Sequence, residues 1–221
     1  GLTHLINSFL TPMTDEILSH NGTIDKYMGD SIMAFWNAPL DTPEHEKLSA
    51  ISALGMIKRL KTLNDKIKQE AEAEERPFRE LRIGIGLNTG TCIVGNLGSE
   101  QRFDYSVLGD PVNLASRLEG QSKTYGVSII VGADTAQKID DFALIELDLI
   151  AVKGRATAVK VYGLMGDQDL AQNADFKAAR LMAHNMIERY RAAEWDQAEY
   201  CVNALRSRAP HFAVLCDLYL T

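Results

Sequence analysis

The apolar positions at the start of the chain recur every three to four residues, and this period predicts an amphipathic helix over residues 2–20. The helix is predicted to end at His-Asn-Gly, with Gly22 suited to a left-handed cap. Two short runs, 23–27 and 31–36, flank Met-Gly-Asp and predict a β-hairpin. A second helical period covers about residues 43–67, and the charged segment after it is predicted to be a solvated helix end or loop.

The middle of the chain contains further strand and helix signals. The segment LRIGIGLNTGTCIVGNLG predicts a second hairpin, in which an Asn-Thr-Gly turn joins two strands. Asp110 and Pro111 are typical of a helix start, and that helix is predicted to end at Gly120 or Gly126. VSIIVG predicts a short buried strand, and FALIELDLIAVKGRATAVKVYGL predicts two strands joined by a Lys-Gly-Arg turn. This order of elements predicts an α+β sheet with helices over one face.

The character of the sequence changes from about Asp167, where an Ala-rich helical pattern begins. Two antiparallel helices that meet near Glu194 and Trp195 are predicted, and they resemble one tetratricopeptide-like unit. Since an array of such units needs about three copies to be stable, the pair is predicted to pack on the main domain. The predicted division is a domain over residues 1–166 and a helical tail over residues 167–221.

Composition limits the functional classes. The chain has 221 residues, of which 46% are hydrophobic and 24% charged, which suits one globular domain with an appendage. We expect neither a membrane span nor a secretion signal within it. The three cysteines show no metal-ligand spacing and are predicted to be reduced thiols. A net charge of −7 argues against nonspecific nucleic-acid binding but allows a phosphorylated small ligand.

Several polar residues are candidates for chemistry, and each also has a structural interpretation. Asp30 follows a glycine at the predicted hairpin turn, where an aspartate is common without any functional role. Lys26, four residues earlier, is the kind of residue that strands usually expose to solvent. Ser106, in DYSVLGD, reads by itself as an ordinary strand hydroxyl.

Four further polar residues suit an anionic ligand. Asn113 and Arg117 lie four residues apart and share one face of the predicted helix. Arginine offers a fork of donors to phosphate or carboxylate, although the pair would equally serve to hold the preceding loop. Lys153 and Arg155 flank the glycine of the last predicted turn, where exposed charges are also ordinary.

Taken together, NGTIDKYMGDSIMAFW, RIGIGLNTG, DYSVLGDPVNLASRLE and VKGR resemble, in order and spacing, class III nucleotidyl cyclase catalytic domains over about residues 1–165. The resemblance implies a ferredoxin-like, palm-type antiparallel sheet covered by helices. It also implies two divalent cations, Mg²⁺ or Mn²⁺, that help the ribose 3′ hydroxyl attack the α-phosphate of a nucleoside triphosphate. By this likeness Asp30 is a metal ligand, Arg117 stabilises the transition state and Asn113 orients the ribose.

The same resemblance assigns the substrate-binding residues. Lys153, and more weakly Arg155, would contact the terminal phosphates. Lys26 and Ser106 would read the base, with the lysine donating to a ring nitrogen and the hydroxyl accepting from an exocyclic amine, which suits adenine. Guanylate-specific relatives generally carry an acid in place of that lysine, so ATP and an adenylate cyclase are predicted. A guanylate cyclase and a non-catalytic dimerisation or nucleotide-sensing module are the alternatives.

The family's arrangement also implies a partner. Its metal aspartates come from one protomer and its other site residues from the second, so a head-to-tail homodimer with two shared sites is expected. The other metal aspartate of the family lies on a strand before the first helix, and this chain begins within that helix. We therefore expect the 221-residue chain to be inactive alone and to be a cytoplasmic part of a longer protein with an upstream sensor or membrane-anchored region.

Overall fold

The computed structural model of the protein describes residues 2–150 and 158–220. The chain forms two compact units, one from the N-terminal part to Ile83 together with Thr91–Val112, and the other from Gly84–Gly90 together with the chain from Asn113 onward. The three cysteines are free, as predicted. Within the described ranges, no helix has the length and apolarity needed to cross a bilayer.

The helices and strands follow the predicted order closely. The helices are α1 (Leu2–Ser19), α2 (His45–Ala73), α3 (Asp110–Gly120), α4 (Ser122–Tyr125), α5 (Ala133–Ala136), α6 (Gln168–Gln172), α7 (Ala174–Arg191), α8 (Trp195–Arg208) and α9 (Ala213–Leu218). The strands are β1 (Thr23–Met28), β2 (Ser31–Phe35), β3 (Ile85–Leu87), β4 (Ile93–Ser99), β5 (Arg102–Leu108), β6 (Ile129–Gly132), β7 (Ala143–Ile150) and β8 (Val159–Gly166).

The end of α1 differs from the prediction in one residue. Asn21, with φ of 60°, adopts the left-handed conformation that was assigned to Gly22. Asparagine tolerates this region better than most residues, and the amide of Gly22 donates to Ile17 O at 3.0 Å. Glycine is needed at position 22 for another reason, because a Cβ there would lie 2.9 Å from that same oxygen.

The first unit holds the β1–β2 hairpin against α1. The indole Nε1 of Trp36 donates to His20 O at 2.9 Å, and the hydroxyls of Thr14 and Tyr27 lie 2.9 Å apart. Gly29 and Asp30 form the turn of the hairpin, and the φ of +67° at Gly29 is one that glycine adopts readily. The predicted helix–hairpin order in this region is confirmed, and α2 extends beyond its predicted end near residue 67 to Ala73, through about the first half of the charged segment.

The predicted pairing of the second hairpin is wrong. β3 pairs with β6, and β4 pairs instead with β5 over seven residue pairs from Ile93 with Leu108 to Ser99 with Arg102. The β4–β5 connection is a tight turn in which Ser99 Oγ accepts from the amides of Gln101 and Arg102 at 3.3 and 3.2 Å. A long ladder closed by a short turn needs less loop ordering than a pairing across the longer Asn-Thr-Gly connection.

The second unit contains a four-stranded sheet with the order β3-β6-β8-β7. β3 runs parallel to β6, whereas β6–β8 and β7–β8 are antiparallel. The mixture of helices and largely antiparallel strands confirms the α+β, palm-type class. The strands of the described residues lie in three sheets, since the β1–β2 and β4–β5 hairpins each form a sheet of two strands.

The C-terminal helices share the core of this sheet. One buried cluster joins strand residues such as Ile145 and Val161 to helix residues such as Phe176, Met186 and Leu215. The domain boundary predicted at residue 166 stays a prediction. In their packing, α7–α9 belong to the same compact unit as β6–β8. The helix pair itself has the predicted hinge, because α7 ends at Arg191 and α8 begins at Trp195.

Candidate functional site

The β1–β2 hairpin carries two of the predicted site residues. Lys26 lies on β1, and its side chain is 44% exposed. Asp30 lies at the exposed turn of the hairpin and makes no hydrogen bond or ion pair with another residue in the described part of the chain. Its carboxylate is therefore available to an external ligand.

The β4–β5 hairpin carries Ser106, which is only 4% exposed. The residue opposite Ser106 in the ladder is Gly95, and a Cβ built on that glycine would meet no atom within 4 Å. The hydroxyl is therefore held against the protein while the neighbouring strand leaves open space beside it.

A third residue, which the sequence pattern did not single out, brings Lys26 and Ser106 together. Ser106 Oγ donates to Asp25 Oδ2 at 2.7 Å, and the amide of Val107 approaches the same oxygen at 3.4 Å. Lys26 Nζ lies 3.3 Å from Asp25 Oδ1, and the Asp25 side chain is completely buried. No local pattern singles out Asp25, because adjacent charges on a short strand are ordinary and its inward direction depends on the register shift between Ile24 and Lys26.

The predicted pair Asn113 and Arg117 lies on one face of α3, and both residues are exposed. The neighbouring stripe of the helix faces the core through Leu114 and Leu118, which are 8% and 0% exposed. Neither Asn113 nor Arg117 makes a hydrogen bond or ion pair with another residue among those described. The alternative in which this pair holds the preceding loop therefore has no contact to support it.

A glycine fixes how closely α3 approaches the sheet of its own unit. A Cβ on Gly86 of β3 would lie 2.0 Å from Ala115 O and 2.6 Å from the amide of Glu119. Only glycine permits this backbone contact, which seats the middle of α3 directly on β3. The exposed face with Asn113 and Arg117 is thus carried by a helix that packs closely on β3.

Two predicted site residues, Lys153 and Arg155, lie outside the described residues. Their phosphate-binding roles stay predictions.

The metal prediction can be tested against the donor set. In residues 2–150 and 158–220, no group of three or more His, Cys, Asp and Glu side chains could hold a metal ion. Asp30 offers one unengaged hard oxygen ligand, which fits a cation such as Mg²⁺ that takes its remaining ligands from substrate phosphates and water. The described residues therefore fit a metal that binds mainly with the nucleotide.

A shallow concavity of about 340 Å³ lies elsewhere, between α7 and α8. It is lined by Asn185, Arg189, Asp196, Gln197, Tyr200 and Cys201. None of the predicted site residues lies there, and its volume by itself gives no functional assignment.

Residues 2–166 match the model of the family described as the adenylate and guanylate cyclase catalytic domain. The chain belongs to this family. The cyclase domain is 36% identical over 163 residues to adenylate cyclase 1 of Rhizobium meliloti (strain 1021), covering 73% of this chain and 24% of that protein. It is 33% identical over 162 residues to adenylate cyclase of Anabaena cylindrica, covering 71% of this chain and 31% of that protein. The matched part of the chain thus spans about a quarter to a third of the length of these two relatives.

Solved structures agree with this assignment. The crystal structure of the adenylyl cyclase CyaB from P. aeruginosa superposes with a TM-score of 0.63 at 34% identity, covering 75% of this chain and 82% of that chain. The guanylyl cyclase Cya2 gives a TM-score of 0.64 at 29% identity, covering 75% and 81% of the two chains. The predicted class III family is confirmed. Catalytic domains of this family generally use divalent metal ions.

Proposed function

We propose that the cyclase domain converts ATP to 3′,5′-cyclic AMP and pyrophosphate. The observation that carries this proposal is that Lys26 and Ser106 contact the two oxygens of one buried carboxylate. The ammonium of Lys26 is a donor and the Ser106 hydroxyl offers an acceptor. Adenine has the complementary edge, with an acceptor at ring nitrogen N1 and a donor in the 6-amino group. Both curated relatives reported above carry the name adenylate cyclase.

The residues on α3 would act on the ribose and the α-phosphate. In the reaction, a bond forms between the ribose 3′ oxygen and the α-phosphorus while the bond from that phosphorus to the pyrophosphate oxygen breaks. Negative charge builds on the α-phosphate oxygens, and Arg117 would stabilise it with its fork of donors. Asn113 would orient the ribose. The exposure of both side chains, without partners among the described residues, supports these roles.

Asp30 would hold a divalent cation, Mg²⁺ or Mn²⁺, at the triphosphate. When bound, such cations neutralise phosphate charge and favour loss of the 3′ hydroxyl proton; we propose two of them in each site. Lys153 and Arg155 would neutralise the terminal phosphates. The free carboxylate at the hairpin turn supports the role of Asp30.

We further propose a head-to-tail homodimer in which Asp30 of one protomer and the base- and phosphate-binding residues of the other complete each site. Large apolar side chains on the β4–β5 hairpin support an interface there. Ile93, Phe103 and Leu108 are 71%, 62% and 55% exposed, which is costly for a two-stranded ribbon that remains in water.

A guanylate cyclase is the second candidate. It is favoured by the similarity to the guanylyl cyclase Cya2, at a TM-score of 0.64 and 29% identity. The two candidates share the reaction and differ only in the base, so the base-reading residues decide between them.

The deciding experiment gives the full-length protein that carries this domain equal concentrations of ATP and GTP with Mn²⁺ or Mg²⁺. We expect cyclic AMP as the main product, separated and quantified by chromatography. Lys26→Glu should lower the ATP-to-GTP preference at least about tenfold, since it replaces the donor at N1 by an acceptor. Lys61→Glu, an exposed lysine on α2, is the matched control and should leave the preference unchanged.

The outcomes separate the candidates. Preferential production of cyclic GTP by the wild-type protein would make it a guanylate cyclase. Nucleotide binding without any cyclic product from the full-length protein would indicate a non-catalytic module. For the 221-residue chain alone we expect no turnover, because Asp30 is the one proposed metal carboxylate in it; turnover by this chain would contradict the need for another.

A further inference from the structure

The Asp25 carboxylate is unusual in its position. It lies where the pairing register of β1 and β2 shifts between Ile24 and Lys26, which marks a bulge at residue 25. Bulges re-aim side chains, and this one turns the carboxylate completely out of solvent. Burying a carboxylate is costly unless it is paired and hydrogen-bonded. Its partners are the two residues proposed to read the base.

The hydrogen bonds to Asp25 fix the direction of the Ser106 hydroxyl. An ionised carboxylate only accepts, and Oδ2 receives both the Ser106 hydroxyl at 2.7 Å and the Val107 amide at 3.4 Å. The first distance is typical of a hydroxyl donating to a charged oxygen. Because a serine has one hydroxyl proton, donation to Asp25 leaves only lone pairs for a ligand. Toward a ligand, the Ser106 hydroxyl can therefore only accept a hydrogen bond.

The other carboxylate oxygen faces Lys26. Lys26 Nζ lies 3.3 Å from Oδ1, and in the described part of the chain no donor makes a hydrogen bond of good geometry with that oxygen. The contact is therefore an ion pair that places the ammonium near Ser106 while its protons remain available to a ligand. The pair presents one donor and one acceptor at a defined spacing.

We propose that Asp25 is a positioning residue that sets specificity for a 6-amino purine over a 6-keto purine. By taking the only proton of Ser106, it makes the hydroxyl able to accept from an amino group and unable to donate to a keto oxygen. Guanine also carries a proton on N1, where it opposes the ammonium of Lys26. The inference rests on the proposed function, because it requires Lys26 and Ser106 to contact the base.

Asp25→Asn tests the inference in the full-length protein. The amide keeps the shape of the carboxylate, and attraction between its oxygen and the Lys26 ammonium turns its NH₂ group toward Ser106. The serine proton is then free to donate. We expect kcat/KM for ATP to fall about tenfold to a hundredfold while kcat/KM for GTP stays constant or rises, which lowers the preference ratio. Asp65→Asn, an exposed aspartate on α2, is the control and should not change the ratio.

Two readouts distinguish proton control from a general structural effect. Purine riboside triphosphate has the adenine ring but no 6-amino group, so its kcat/KM should be much less sensitive to Asp25→Asn than that of ATP. In a double-mutant cycle, Asp25→Asn should add little to the loss of preference caused by Ser106→Ala, because both remove the same acceptor. Each ratio is measured on a single preparation, so partial unfolding of a variant cancels.

The binding of 3′-deoxy-ATP and 3′-deoxy-GTP, which cannot be cyclised, gives the same preference without turnover. A wild-type protein that prefers adenine, together with an Asp25→Asn variant of unchanged preference, overturns the role of Asp25 and leaves the proposed function intact. A wild-type protein with no preference for adenine overturns both. Equal losses with ATP and with purine riboside triphosphate would also overturn the role of Asp25.

Discussion

Replacing Arg191 by methionine should weaken the link between the C-terminal helices and the sheet. Arg191 ends α7, and its Nη1 lies 2.6 Å from Glu146 Oε1 on β7 and 3.3 Å from Glu188 Oε1. Lys160 of β8 contacts the other Glu146 oxygen at 2.9 Å. The Glu146 side chain is 10% exposed and that of Arg191 25%, so these charges are only weakly screened by solvent. Methionine retains much of the side-chain length without the charge.

The loss of stability depends on the contacts that Glu146 keeps after the substitution. After the substitution, the buried Glu146 keeps Lys160 but loses its second charged donor. Losing one hydrogen bond to a charged group costs about 1.5–3 kcal/mol, and the remaining lysine keeps the cost below that of an unpaired buried charge. For a chain of this size, that free energy corresponds to a fall in melting temperature of about 3–12 °C.

The effect should depend on pH. Burial raises the pKa of Glu146, but the hydrogen bonds from Lys160 and Arg191 outweigh it, so the pKa in the folded state lies below its ordinary value. A lowered pKa stabilises the folded protein above the unfolded-state value of about 4.3, and this stabilisation is lost as the pH falls through the folded-state value. The difference between wild type and Arg191→Met should therefore be largest near neutral pH and shrink in acid.

Urea unfolding at pH 7 and at about pH 3, well below the unfolded-state pKa, measures both effects. Arg189→Met is the matched control, because Arg189 lies on the same helix and pairs with Glu194 at the surface, where side-chain exposures are 49% and 39%. That surface pair should contribute at most about 1 kcal/mol. Equal losses for the two variants, or a loss for Arg191→Met that does not change with pH, would refute the buried link to Glu146.

Three further predictions concern the site and its supports. Arg117→Ala should lower kcat of the full-length protein about a hundredfold or more, because it removes a transition-state donor. Arg180 is exposed, and Arg180→Ala should leave kcat unchanged. Similar rates for the two variants would contradict the role of Arg117. Gly86→Ala should destabilise by a few kcal/mol in thermal unfolding, because its Cβ would lie 2.0 Å from a backbone oxygen, while Gly95→Ala, with nothing within 4 Å, should cost less than about 1 kcal/mol. Phe103→Asp should shift the protein toward monomer in analytical ultracentrifugation, and an unchanged dimer would exclude that hairpin face from the interface.

Most of the fold followed from periodicity, and the errors have identifiable causes. The left-handed residue at the end of α1 was predicted to be Gly22 and is Asn21. Gly22 is a glycine for another reason, a close contact with Ile17 that only the folded chain reveals. The pairing of β4 with β5 was missed because strand propensity says which segments are extended but not which neighbours they choose.

The prediction of the candidate site was incomplete for a similar reason. Lys26, Asp30 and Ser106 were found through motifs, but a motif does not give the burial of a side chain. Asp25 read as one more charge on a short strand, and its role depends on a bulge and on a partner 81 residues away. The assignment of α7–α9 to the core of the sheet likewise depends on contacts such as that of Tyr219 with Leu147 O, at 2.6 Å, which no local pattern encodes.

The shared active site can be tested most directly by mixing two inactive variants of the full-length protein, Asp30→Asn and Arg117→Ala. In a head-to-tail dimer each variant alone has two defective sites, whereas a mixed dimer has one intact site and one with both defects. We predict that mixing equal amounts restores cyclic AMP synthesis from ATP to about a quarter of the wild-type rate, because half of the dimers are mixed and each has one working site. Mixed dimers that form without restored synthesis, or substantial synthesis by either variant alone, would contradict the account.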